Sequence, residues 1–494
     1  MTLYNLDLNR MNTQAIQNQF VTLLQKRNLS VLNCTLLPGQ ASDRRYFRLY
    51  TSDNQTYIGT YSENISENET FFYFAQHFEN QSLVPKVFEI SEDRKIYIQQ
   101  DFGDVSLLHI LRDGFTDKAY TLFQTSLKKL ALMQIKGHQD LDYTKCFSTQ
   151  KFDYQTIIAD LYYFKFCFVD ALKIQYNKQK LANDFDRFIA YLMQFDNQYF
   201  MFRDFQSRNI QIFENEPYFI DFQGGMQGSM AYDVASLLWQ ARANLPLEWK
   251  ENLLKDYVNY ANEYLDEPID FQEFKKEYDA YLLVRMIQVL GAYGFRGLFE
   301  RKPAFIESIP QALENIQWFL ENIQLSVEIP ELINVLQQLT QPKIQQQFMT
   351  IKAIKDSKLE VQIQSFSFRK GIPEDTSGNG GGFVFDCRGI LNPGRIEEYK
   401  VLTGRDKAVQ EYLETKTEMP KFLQNVFNIV DISVENYLSR DFEHLMVSFG
   451  CTGGQHRSVY SADALAQHLQ SKYGVKTTVT HVEQEAKNWI NEPY

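Results

Sequence analysis

Residues 200–225, FMFRDFQSRNIQIFENEPYFIDFQGG, limit what this chain can fold into more than any other stretch. Asp204 is followed five positions later by Asn209, then by an apolar run, a turn at 215–217, and a second apolar run ending at Asp221. The pattern predicts a loop, a hairpin of two short strands, and a carboxylate at the hairpin's far end. Transfer of a phosphoryl group from a nucleotide to a hydroxyl calls on these groups in this order. One Asp meets the acceptor hydroxyl, an Asn holds a magnesium ion, and a second Asp bridges that ion to the phosphates. A D-x-x-x-x-N by itself is equally well explained as turn-forming side chains in a solvated loop. The hairpin and the IDFQGG that closes it lift the motif above that reading.

The 494 residues are enough for two or three domains, so the flanks of this stretch decide its setting. Residues 13–28 have helical spacing, and strands are expected at 45–51 and 56–62 around a turn at 52–55. The small polar loop PGQASDRR precedes them. In a nucleotide kinase its Ser42, Arg44 and Arg45 would lie in the loop that covers the phosphates. A helix over 67–80 carries an aromatic face that reads as core packing. Two more strands, 87–90 and 95–100, end in QQDFGD, where Gln100 and Asp101 stand as a hinge whose backbone would receive adenine. Helical periodicity fills 116–196 and returns at 231–242, 247–265, 271–293 and 310–325. The expectation is an α+β bilobal protein-kinase-like domain over residues 1–338, with a small β lobe, a hinge, and a helical lobe holding the hairpin.

A Gln- and Lys-rich linker, 339–359, follows, and beyond it strands alternate with helices in a small α/β domain, 360–494. Its informative stretch is GCTGGQHRSVY, residues 450–460. A strand, a glycine turn and a helix opening with Arg457 and Ser458 make a nest of backbone amides that favours a phosphate, with Thr452, His456 and Arg457 adding donors. The same letters satisfy C-x-x-G-x-x-R-S, the pattern of cysteine-dependent phosphatases. Cys451 would then be the nucleophile and Arg457 the phosphoryl clamp, with Asp386 or Asp406 as general acid.

Composition excludes several classes. Aromatic residues make up 15% of the chain, which rules out a disordered protein. A net charge of −12 argues against a nucleic-acid surface spread over the whole molecule. The five cysteines are scattered without a C-x-x-C pair, which fits a reducing compartment and offers no zinc framework. The N-terminus has no apolar signal core, and no run of about 18 apolar residues suggests a membrane span. The expectation is a soluble, cytoplasmic protein without a membrane partner. The sequence says nothing of its oligomeric state.

Residues 1 to about 335 resemble the aminoglycoside-phosphotransferase family, in particular its branch that phosphorylates cell-wall amino sugars at the anomeric hydroxyl. The likeness rests on SDRRYFRL at 42–49, QQDFGD at 99–104, RDFQSRN at 203–209, IDFQ at 220–223 and YDVASLL at 232–238. It implies ATP as phosphoryl donor, Asp204 as catalytic base, Asn209 and Asp221 as Mg2+ ligands, and a sugar hydroxyl as acceptor, on N-acetylmuramate or N-acetylglucosamine. It also implies that Asp233 braces the catalytic loop, although an Asp near a helix start equally serves as a cap. The chain departs from the family at Phe202, where a His is common, and at Thr60, where a general kinase has its ATP-binding Lys; Arg44 or Arg45 would supply that charge. Residues 360–483 resemble the C-terminal domain of the RapZ family, through SFSFRKGIP, FVFDCRGILNPG, LTGRD and GCTGGQHRSVY. That likeness implies a pocket at Cys451, Thr452, Gly453, Gly454, His456, Arg457 and Ser458 for a sugar phosphate or nucleotide sugar. Gly394 stands where the family has His, and the ending HVEQEAKNWINEPY lacks the family's basic tail, which argues against RNA. Two rival readings remain beside the kinase: a regulatory protein with a silent kinase fold, and a bifunctional kinase and cysteine phosphatase.

Overall fold

In the computed structural model, which describes residues 2–37, 44–81, 83–345, 347–348, 357–375 and 377–491, a five-stranded antiparallel sheet takes up the first hundred residues. Its strands are β1 (Val31–Leu36), β2 (Arg45–Thr51), β3 (Thr56–Tyr61), β4 (Val87–Ile90) and β5 (Ile96–Gln100), in the order β1-β2-β3-β5-β4. Alternation along β2 and β5 puts Phe47, Leu49, Ile96 and Ile98 on one face. There Ile16, Phe20, Leu23 and Leu24 of the helix Thr2–Gln25 close over them. Phe20 fits because Gly59 of β3 has no side chain: a Cβ there would stand 2.6 Å from the ring. The helix Ile65–Phe78, capped where Asn64 accepts the Glu67 N–H, carries Phe71, Phe74 and Phe78 into the main core.

That core belongs to the helical lobe, built from Asp117–Ile135, Tyr154–Phe164, Lys178–Leu192, Met230–Leu238, Leu247–Asn262, Phe271–Tyr293, Ile309–Asn322 and Pro330–Leu339. Two small ladders are set into it. β6 (Tyr199–Met201) pairs with β9 (Met226–Gly228), and β7 (Ile210–Phe213) pairs with β8 (Glu216–Phe219) as a hairpin. Glu214 and Asn215, with φ of 52° and 64°, form the hairpin's two-residue turn, the handedness that suits twisted antiparallel strands. The helices Tyr154–Phe164 and Phe271–Tyr293 run on into π-helical segments, Lys165–Val169 and Gly294–Phe299, which pack on one another. The crossing depends on Gly294, where a Cβ would lie 2.3 Å from the Cys167 carbonyl oxygen. The segment Phe271–Phe299 is long and apolar enough to cross a bilayer, yet over half of its most apolar window is buried and it contributes Arg285 to a polar site. The helix Pro330–Leu339 was not anticipated from the sequence, and a helical turn, Pro342–Gln345, falls where a linker was expected.

The chain divides into two units, Met1–Phe348 and Met349–Tyr494. In the second, β10 (Glu360–Ser367), β11 (Phe383–Asp386), β12 (His444–Cys451) and β13 (Lys476–His481) form a parallel sheet in the order β11-β12-β10-β13. Helices Lys407–Lys416, Met419–Ser439 and Arg457–Tyr473 complete it, with Val361, Ile363, Val447, Phe449, Leu465 and Leu469 in its core. The architecture is therefore an α+β bilobal kinase-like domain followed by a small α/β domain.

Candidate functional site

The β7–β8 hairpin is what brings the distant letters of the motif together. Asn209 is the last residue before β7 and Asp221 the second after β8, and the Ile220 N–H donates to the Asn209 carbonyl at 2.9 Å. The Asn209 side chain donates to the Asp204 carbonyl at 2.9 Å and lies 3.5 Å from Asp221 Oδ2. All three residues open onto a cleft of about 1100 Å³ between the small sheet and the helical lobe.

The loop that carries Asp204 is held in an unusual backbone shape. Arg203 has φ of 80° and Asp221 φ of 68°, both costly for residues with side chains. Asp233 over-determines the first of these. Its carboxylate accepts the Phe202 N–H at 2.7 Å, the Arg203 N–H at 2.9 Å and the Gln134 side chain at 2.9 Å. The cap of its own helix is Ser229, whose hydroxyl accepts the Ala231 N–H. Of the two readings open for Asp233, the brace is the one its hydrogen bonds make. Burial pushes its carboxyl up to about 7 against those three donors. Arg203 is clamped in turn by Asp160, at 2.6 Å and 2.8 Å, and by the Tyr232 hydroxyl at 3.0 Å.

Asp204 and Asp221 sit in opposite fields. Desolvation in the cleft alone would raise Asp204, but Arg285, Arg208 and Arg203 outweigh it and hold the carboxyl below the usual range. Arg285 lies 3.3 Å from Asp204 Oδ1 and is itself oriented by Tyr232 and Gln288. Asp221 is raised, first by desolvation inside the cleft and then by the negative charge of Asp204. Its Oδ1 accepts Gln223 at 2.8 Å, and no cation pairs with it among the described residues. A hard divalent cation fits this donor set: a carboxylate driven up by a second carboxylate, beside an amide carbonyl, Asn209 Oδ1, that takes no hydrogen bond among the described residues.

On the small-lobe side of the cleft, Thr60 is fully buried, and the cation comes from Arg44 at the foot of β2. Arg44 Nη1 donates to the Tyr97 hydroxyl at 3.0 Å, and Nη2 stands 3.1 Å from Glu67 Oε1 on the helix Ile65–Phe78. That ion pair is close but not aligned as a hydrogen bond, so Nη2 and Nε of this buried guanidinium have no hydrogen-bond acceptor among the described residues. Gln223 links Glu67 back to Asp221, at 3.2 Å and 2.8 Å. Arg45 does not join the site. Strand alternation turns it to the other face, where it lies over the Tyr61 ring at 4.9 Å. Gln100 and Asp101 line the cleft, but the Asp101 carboxylate is committed to Arg48 at 2.7 Å and the Gly103 N–H at 2.8 Å, leaving only backbone for a ligand. Ser42 lies outside the described residues. Sequence reasoning missed Glu67 and Arg285, which carry no local motif.

In the second unit the glycine loop runs from the end of β12 into the helix Arg457–Tyr473. Arg457 and His456 are buried; each bonds a carbonyl of the loops packed against it, while Arg457 Nη2 reaches only the Thr452 hydroxyl at 3.4 Å and its Nε has no hydrogen-bond partner among the described residues. Arg457 Nη1 donates to the Ile390 carbonyl at 2.7 Å, and His456 Nε2 bonds the Tyr399 carbonyl at 2.8 Å. Cys451 is also buried, its sulfur receiving the Gly454 N–H at 3.1 Å with the Ser458 hydroxyl 3.1 Å away. Thr452 and Gly453 are the members of the loop left partly open. A Cβ at Gly394 would stand 3.1 Å from the His456 ring, so this glycine allows the His456 position seen here. Neither candidate general acid is poised. Arg388 holds Asp386 below the usual range, and both hydrogen bonds from Thr403, its N–H and its hydroxyl, end on one oxygen of Asp406.

Comparison with known proteins agrees with this division. Residues 155–267 match the phosphotransferase enzyme family, and residues 359–485 match the RapZ C-terminal domain. The first unit thus carries a phosphotransferase-family domain and the second a RapZ-like C-terminal domain. A nucleotide-binding protein of Endomicrobium trichonymphae is 39% identical over 24% of this chain and 40% of its own length. One from Xanthomonas euvesicatoria is 26% identical over 49% of this chain and 90% of its own. The chain thus spans less than two thirds of the length of the first curated relatives it matches. Among solved structures, a Plasmodium vivax ethanolamine kinase superposes with a TM-score of 0.42 at 14% identity, covering 58% of this chain and 81% of that one. Amicoumacin kinase in complex with AMP-PNP, Ca2+ and its ligand gives 0.43 at 11%, covering 60% and 92%.

Proposed function

We propose that the first unit is an ATP- and Mg2+-dependent kinase that phosphorylates a sugar hydroxyl, on N-acetylmuramate or N-acetylglucosamine at the anomeric position, and that the second senses a sugar phosphate. The observation that carries this reading is the convergence of Asp204, Asn209 and Asp221 on one cleft, with Arg285 on the first and Asp233 fixing the backbone just before it.

In this reading Asp204 accepts a hydrogen bond from the acceptor hydroxyl and takes its proton as the new O–P bond forms and the bond to the ADP oxygen breaks. Its low pKa suits a group that orients the hydroxyl and receives the proton late. Asn209 and Asp221 would hold magnesium, which when bound offsets charge on the β- and γ-phosphates. Arg44, kept in place by Glu67 and Tyr97, offers its unsatisfied N–H groups to a phosphate oxygen from the small lobe. Thr452 and Gly453 of the second unit offer a phosphate their backbone amides, in the loop that leads into the helix Arg457–Tyr473.

The test is ATP turnover by the purified full chain with each of the two sugars, beside Asp204→Ala. Sugar-dependent turnover that falls about 10²- to 10⁴-fold in the variant is expected. Turnover that is independent of sugar, or equal in both proteins, would sink the assignment.

A further inference from the structure

The row of side chains that β11 and β12 share ends in two cysteines. These strands run parallel with Phe383 opposite Val447 and Phe385 opposite Phe449, and the rings of the second pair stack with centres 5.5 Å apart. The last ladder pair is Asp386 with Gly450, so the next step sets Cys387 beside Cys451. Side chains alternate along a strand, so both thiols fall on the face that Phe385 and Phe449 occupy, and both belong to one buried core. The turn Cys387–Gly389 stays packed on β12 past the end of the ladder. The helix Arg457–Tyr473 covers both thiols. Its Ser458 hydroxyl lies 3.1 Å from Cys451 Sγ, and its Ser461 hydroxyl, one turn on, 3.7 Å from Cys387 Sγ. Neighbouring strands lie about 4.8 Å apart, inside the Cα separation of about 4.4 to 6.8 Å that a disulfide bridges.

We propose that Cys387 and Cys451 are a redox pair, which a hydroperoxide converts to an intramolecular disulfide that withdraws Cys451 from the glycine loop. Cys451 opens that loop, and the next two residues, Thr452 and Gly453, are partly open to solvent. Cys387 is fully buried, which pushes its thiol up to about 12. Cys451 is therefore the thiol that meets the oxidant. Its sulfur attacks one peroxide oxygen, the S–O bond forms as the O–O bond breaks, and the thiol proton leaves with the other oxygen as water. Cys387 Sγ then attacks the sulfenic sulfur. The S–S bond forms, the S–O bond breaks, and the oxygen leaves as a second water with the Cys387 proton. The two thiols supply the two electrons that reduce the peroxide. In the reduced chain Cys451 Sγ accepts the Gly454 N–H at 3.1 Å, and Gly454 holds φ of 67°. Once bonded to Cys387, the sulfur gives up that contact and the loop loses the bond that sets its amides. Transient sensing is the usual role of a disulfide in a reducing compartment. The pair stands on its own geometry, and only the consequence for a bound phosphate rests on the function proposed above.

The experiment treats the native full chain with a slight excess of hydrogen peroxide, alkylates the remaining thiols, and maps the digest by mass spectrometry without reductant. The expected product is one peptide pair joined through Cys387 and Cys451, with free thiols falling from five to three and dithiothreitol restoring all five. Amide hydrogen exchange at Gly454 should be about tenfold or more faster in the oxidised chain than in the reduced one. Cys387→Val keeps the core filled, should form no link, and should leave Cys451 as a sulfenic acid that dimedone captures. The mapping is made on wild type, so it decides the matter even where the variant unfolds. Links through Cys34, Cys146 or Cys167, a sulfinic acid at Cys451 with Cys387 still free, or thiols that react only after denaturation would overturn the pair. A Cys387–Cys451 link with unchanged exchange at Gly454 would overturn its effect on the loop.

Discussion

At the scale of single residues, Arg44 carries the clearest consequence. A buried guanidinium with two nitrogens that find no hydrogen-bond acceptor among the described residues is costly unless something else completes it. In the proposed kinase that partner is a phosphate of ATP. Arg44→Gln should then raise the KM for ATP by about tenfold or more, with Arg44→Lys recovering part of the loss, as steady-state kinetics would show. Asp233 and Ser229 form a second contrast. Asp233→Asn puts an amide where two backbone N–H groups need a carboxylate, so it should cost about 2–4 kcal/mol in chemical denaturation and lower kcat. Ser229→Ala removes a helix cap and the hydroxyl that donates to Glu277, and should cost about 1–2 kcal/mol with kcat little changed.

At the scale of elements, the helix Phe271–Tyr293 joins stability to the site. It carries Arg285 to Asp204 and, two turns earlier, Glu277, which bonds Ser229. Burial holds the Glu277 carboxyl up at about 7, so the folded chain keeps a proton that the unfolded chain releases near its ordinary value. The stability this contributes is whole below about pH 4 and is lost as pH rises through about 7. Against Glu277→Gln, wild type should therefore lose about 2 kcal/mol between pH 5 and pH 8 in paired denaturant titrations. Unchanged difference curves would show that Glu277 ionises normally.

The same scale shows what the sequence could reveal. The β7–β8 hairpin was legible because two apolar runs flank a turn whose two residues adopt positive φ, and it fixes Asn209 and Asp221 by chain geometry alone. The β6–β9 pair was not, since three-residue strands carry no periodicity and their partner is 25 residues away. Arg285 was hidden for a related reason. Its helix is buried nearly all round, so one charged residue in it reads as a packing exception until the fold brings it to Asp204. Glu67 and Arg44 lie in different elements, and only the folded small lobe joins them.

At the scale of the whole molecule, the proposed function gives the two units related chemistry: a cleft that makes a phosphate ester, and a glycine loop before a helix that binds one. On the proposed function, the second unit recognises the product class of the first, which is what coupling between the two sites requires. That relation stands or falls with the first unit's reaction. The decisive measurement follows ³¹P NMR spectra of the full chain with ATP, the best sugar acceptor, and magnesium present or withheld. The account predicts that a sugar phosphate ester and ADP rise together in equal amounts, and only with magnesium. ADP accompanied by inorganic phosphate alone, or intact ATP over many hours beside every sugar tried, would contradict it.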